Sequence, residues 1–159
     1  MKRIWISRRR SLNLLLVSAL FLTAAPFAHA AIDESVPDAQ TLSQLELRAQ
    51  QANPRDQCFL YTQLVHTMTE MAVRQIADGD DDQAGTTLKQ INRYARLIQA
   101  SLEKNTRRLK NAEMLMHHTT RRLSEVLHLA SEDNRTTVQA TLRQLDQVQD
   151  QLLNQVFDH

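Results

Sequence analysis

Between Leu88 and Ala130, apolar or small residues recur at alternating intervals of three and four. The series is Leu88, Ile91, Ala95, Ile98, Leu102, Asn105, Leu109, Ala112, Met116, Thr119, Leu123, Val126 and Ala130. This is the a/d seam of a heptad repeat, sustained for about six heptads. No Gly or Pro follows Gly85 to interrupt it. As one helix from about Asp82 it would run on the order of 70 Å at ~1.5 Å per residue. An apolar seam does not stay in water, so other helices must cover it.

The flanking segments supply those helices. Ala39 to Ala52 carries Leu42, Leu45 and Ala49, a short amphipathic stretch. Asn53-Pro54-Arg55-Asp56 then reads as a helix start, with Asn53 as cap, Pro54 in the first turn and Asp56 at the positive end of the dipole. That helix runs to about Asp78, where Gly79 stops it. Asp80, Asp81 and Asp82 begin the next helix, and Ser131 caps a last one from about Glu132 to Phe157. The expected fold is all-α, with antiparallel helical hairpins around one long central helix. The alternative is a compact four-helix bundle with a break near Glu103-Lys104-Asn105-Thr106. Asn105 suits either a polar register residue or a break point, and the lack of Gly or Pro there favours continuity.

Residues 1–30 read as an export signal. Lys2, Arg3, Arg8, Arg9 and Arg10 precede an apolar run from Leu12 to Phe27, and Ala28-His29-Ala30 is a small-x-small cleavage site. Retention as an N-terminal membrane anchor is the alternative, but the run is short of the ~20 residues that span a bilayer. Cleavage near Ala30 places the protein in the periplasm or outside the cell. Residues 31–38 form a flexible leader and residues 39–159 one helical domain. Removing the five bases of the signal from the total of 19 leaves 14 against 18 acids, a net charge of about −4.

Chemistry-bearing residues are few. Cys58 is the only cysteine, either a buried thiol beside Phe59, Leu60 and Tyr61 or half of an intermolecular disulfide. Asp78 to Asp82 resembles the start of a calcium loop, but Gln83 and Lys89 stand where an EF-hand needs Gly and Glu. His66, Met68 and Met71, with Met114, His117 and His118, are thioether and imidazole groups that suit copper. Met68, Met71 and Met116 also fall on apolar faces, as gap fillers do. The bases between Lys89 and Arg122, among them Arg93, Arg96, Lys104, Arg107 and Lys110, form an outward stripe that suits either solvent or an anionic surface. No aromatic residues interleave them, so no specific nucleic acid is expected. No nucleophile elbow, HExxH or Gly-rich phosphate loop is present, and no cofactor is implied. Asn134-Arg135-Thr136 matches a glycosylation sequon at a helix start.

Ile76-Ala77, Gly79 and Ala84 are similar to the inter-helix turn of tetratricopeptide repeats and of exported cytochrome b562-like bundles. That likeness implies a helical hairpin over about 25 residues, with no 34-residue period and no haem ligand near Tyr94. The stretch from Arg108 to His118, with the final helix, resembles small exported all-helical bacterial proteins of unknown function, which implies export and supplies no activity. The sequence thus describes an exported, non-enzymatic interaction protein of the cell envelope, working through coiled-coil-like helices. A copper-type or other ligand-binding bundle is the alternative. A long seam with short partners leaves apolar edges for a second copy or an envelope protein to cover, so a homo-oligomer or partner complex is expected.

Overall fold

The computed structural model describes residues 39–102 and 106–158; the expected signal, its cleavage site and the leader lie outside them. Five helices make up the described chain: α1 (Ala39–Gln51), α2 (Pro54–Asp78), α3 (Asp81–Leu102), α4 (Leu109–Glu125) and α5 (Glu132–Phe157). The fold is all-α, and no strand occurs among the described residues. None of these helices is long and apolar enough to cross a membrane.

The helix ends obey the local chemistry of the sequence. The Asn53 side chain accepts from the Arg55 N–H at 3.0 Å with Pro54 in the first turn of α2. Gly79 ends α2 in the left-handed conformation, φ 75°, where its N–H and that of Asp80 cover the open carbonyls of Ile76 and Gln75. Ser131 accepts from the Asn134 N–H to open α5.

The continuous central helix is not what forms. Residues 106–108 are not helical, and the chain divides there into α3 and α4. The Thr106 hydroxyl donates to the carbonyls of Ser101 and Leu102 at 3.1 and 3.4 Å, satisfying acceptors that the end of α3 leaves open. The Arg107 N–H donates to the Arg55 carbonyl at 2.8 Å. Arg108 takes a left-handed conformation, φ 59°, immediately before α4, with its guanidinium 5.1 Å from the Phe59 ring centroid. Helix α4 also stops at Glu125, short of Ala130, although Val126 and Ala130 remain buried in the turn that follows.

Two antiparallel hairpins result, α2/α3 and α4/α5, and they pack side by side. Helix α2 touches α3 and α4, α5 touches the same two, and the diagonal pairs make no close backbone approach. Cross-helix partners fix the directions. Tyr61 stacks on Tyr94 and Thr87 bonds Gln75 in the first hairpin, and Gln149 bonds His117 in the second. Between the hairpins, Arg55 meets Arg107, His66 meets Thr119, and Glu70 meets Arg122, so α2 and α4 run parallel. Asp81 meets Asn134 and Asn92 meets Thr141, so α3 and α5 do too. Helix α1 packs on α2, with Leu42, Leu45 and Ala49 inward.

This arrangement explains the break energetically. One flanking helix per half would leave much of a straight seam wet. Folding the seam back places each half between the same two helices, α2 and α5. Every described seam residue from Leu88 to Ala130 is at most 8 % exposed. Each large aliphatic side chain so enclosed contributes roughly 1.5–3 kcal/mol. The apolar edges expected to call for a second subunit along the seam are therefore covered by the chain itself.

Two substitutions at Arg108 distinguish this turn from a continuous helix. Arg108→Gly is expected to be at least as stable as the parent, because relief of about 1 kcal/mol of left-handed strain offsets the lost stacking on Phe59. Arg108→Val is expected to cost about 2 kcal/mol. Urea melts should rank Gly above Val; the reverse ranking, which helix propensity dictates inside a continuous helix, contradicts the turn.

Candidate functional site

The parallel contact between α2 and α4 brings titratable side chains together on the outside of the bundle. His66 and Glu70 lie one turn apart on α2, and His118, Arg122 and Glu125 face them from α4. With Arg121 they line an open groove of about 370 Å³. Arg122 donates to Glu70 at 3.1 Å and to Glu125 at 3.4 Å, and Arg121 reaches Glu125 at 3.4 Å. These pairs are partly exposed, so each contributes no more than about 1 kcal/mol.

His66 is the group the fold controls most closely. The Thr119 hydroxyl donates its only proton to the Leu115 carbonyl at 2.7 Å. Its oxygen must then accept from His66 Nδ1, 3.0 Å away. The neutral ring therefore carries its proton on Nδ1 and offers a bare Nε2. Burial lowers the His66 pKa below the ordinary histidine value, with Glu70 opposing and His118 assisting. Arg122 is raised above its usual value, first by its hydrogen bond to Glu70.

The other sequence candidates are dispersed. Met68 is buried in the core and Met71 is half-buried on α2, whereas Met114 is exposed on α4. His117 turns toward α5, where it meets Gln149 at 3.1 Å. Of the copper-type set, only His66 and His118 share a groove. Among the described residues no three His, Cys, Asp or Glu side chains converge as a metal would need. Cys58 is wholly buried, and burial pushes its thiol up to about 11, offset in part by Ser101. It has no route to a second chain while the bundle is closed.

The break also divides the basic stripe. Arg93 and Arg96 are exposed on α3, Lys110 is exposed on α4 at the diagonal corner, and Arg107 lies in the connection, 3.9 Å from Asp56. Lys104 lies outside the described residues. Asn134 of the sequon is buried, and its amide donates to the Asp81 carbonyl and carboxylate at 2.8 and 3.0 Å. It joins the starts of α3 and α5 and is closed to a glycan.

Sequence reasoning missed the His66–Thr119 pair and the amides between α3 and α5. Gln144 donates to Gln99 at 3.0 Å and Gln99 to Gln151 at 3.1 Å. The signal available was the recurrence of Gln on the α5 flank, from Gln139 to Gln155, which on its own reads as solvent-facing. Comparisons of the chain with protein-family models, with curated proteins and with solved structures find no match.

The sign of the His66 effect follows from its lowered pKa. The unfolded chain takes up this proton first as pH falls. The stability owed to neutral His66 is therefore complete above the ordinary histidine range and is lost as pH falls through it. His66→Gln, which retains a donor for Thr119, is expected to flatten the fall in Tm between about pH 7.5 and 5.5. An unchanged slope contradicts the assignment of a suppressed proton to His66.

Proposed function

We propose that the chain acts as an exported interaction module of the cell envelope, without catalysis, docking a protein partner or a second copy on the outside of its bundle. The observation that carries this reading is an apolar pair at the end of α5. Phe157 is 80 % exposed and Leu153, one turn earlier, 38 % exposed. They stand beside half-buried Val156 on a helix whose other large apolar side chains are covered. Exposed aromatic side chains are the usual anchors of protein contacts. With the seam spent inside the chain, contact with another molecule falls to such outer residues, and Phe157 is the most exposed of the large apolar side chains among the described residues. The export-signal pattern of residues 1–30 and the resemblance of Arg108 to His118 to small exported bacterial proteins support the location.

The test is photo-cross-linking in the native host with a reactive group at Leu153 or Phe157, alongside the same group at exposed Lys110. The expected result is one discrete adduct from the α5 positions, in the exported fraction, on a chain shortened by about 30 residues. Adducts equally frequent from Lys110, or a full-length chain retained in the cytoplasm, contradict the reading.

A further inference from the structure

A row of exposed cations runs down α3. Lys89, Arg93 and Arg96 follow at spacings of four and three, which places them on one helix face over roughly 10 Å. Among the described residues none of them forms an ion pair. Arg93 lies 5.9 Å from the centroid of the Tyr94 ring, a contact that uses none of its N–H donors. Glu46, the acid of that corner, accepts from the Tyr94 hydroxyl and the Gln50 amide on one oxygen and forms no ion pair with the row. A local positive row in a stretch where residues 31–159 hold 14 bases against 18 acids is a departure from the surface average, and its field favours an anion.

The row leads into a groove. Gln99 lies three residues beyond Arg96, on the adjoining strip of the helix, and together with Gln151 and Asn154 of α5 lines about 560 Å³ of open space. Gln99 is fixed at both ends of its amide, by Gln144 and by Gln151 Oε1. Gln151 Nε2 and the Asn154 amide have no partner among the described residues. The groove thus offers neutral donors and acceptors directly after a run of positive charge.

We propose that this α3/α5 face binds an acidic polysaccharide strand. Its carboxylate or ester-bound anionic groups meet Lys89, Arg93 and Arg96, and its hydroxyls meet the amides of Gln151 and Asn154. A polymer that carries both anions and hydroxyls matches a face whose row of cations gives way to amides. No aromatic side chain lines the groove, so bases have nothing to stack on. Among the described residues the exposed large apolar side chains lie elsewhere than on α3: Leu47 on α1, Met114 on α4, Leu129 in the turn after it, and Leu153 and Phe157 on the last turns of α5, so the cation row itself carries no apolar edge for a bilayer. The proposal rests on the exported reading only for where such a polymer is met.

Titration calorimetry on the secreted form of the chain tests it, with alginate oligosaccharides, neutral dextran of equal length, phosphatidylglycerol vesicles and single-stranded DNA as probes. Alginate is expected to bind, to weaken as NaCl rises from about 50 to 300 mM, and to exceed the other three. Arg93→Gln combined with Arg96→Gln should lose about tenfold or more in affinity at unchanged Tm. Gln151→Ala combined with Asn154→Ala should lose about threefold or more, which a purely ionic contact would not show. Absence of alginate binding at low salt, equal binding of DNA or vesicles, or indifference to either double variant overturns the proposal. Failure of the α5 cross-link with alginate binding intact counts against the protein-docking reading alone.

Discussion

The hydrogen bond from the Arg107 N–H to the Arg55 carbonyl, 2.8 Å long, ties the connection between the two hairpins to the first turn of α2. Its position decides the packing. It places the start of α4 beside the start of α2, so the two helices rise together, and α3 and α5 must descend together. Thr106 closes the end of α3 and the Arg108 guanidinium lies over Phe59. The turn is thus held by backbone, hydroxyl and ring contacts rather than by a flexible residue.

Parallel helix contacts are poor in loop constraints, and here polar side chains fix their register. On each of the two contacts a buried threonine gives its proton to its own helix and accepts from the neighbour. Thr119 donates to Leu115 and accepts from His66; Thr141 donates to Thr137 and accepts from Asn92. A hydroxyl used in both directions is itself fully matched, and a slip of one residue would break both bonds. His66 serves Thr119 through Nδ1–H, which leaves Nε2 as the nitrogen that takes up a proton.

Much of the fold is legible in the sequence, and the reasons differ by element. Asn53-Pro54, Gly79 and Ser131 mark helix ends through local chemistry, and the structure uses each for that purpose. The seam names the core because burial follows its period. The same period conceals the break. Leu102 and Leu109 are one heptad apart, so one helix can end at the first and another begin at the second without a phase error. Arg108 gives no warning either, since a left-handed arginine runs against propensity and is held by Phe59, with its neighbour Arg107 bonded to Arg55, from elsewhere in the chain. The surface was harder still. His66 and His118 meet because of the parallel packing of α2 and α4, a relation between residues 52 apart that no local pattern encodes. The stripe of bases was read along one helix, and folding that helix in two assigns its halves to different corners.

The account turns on the reversal between α3 and α4, and one distance tests it. Spin labels at Lys89→Cys and Arg121→Cys, both exposed sites, in a Cys58→Ala background report that distance by double electron–electron resonance. In the folded bundle the two positions lie at similar heights on diagonal helices, which predicts a separation under about 35 Å including the labels. A single continuous helix holds them 32 residues apart, close to 50 Å at ~1.5 Å per residue. A sharp distribution at the shorter distance upholds the bundle; one centred near the longer distance contradicts it.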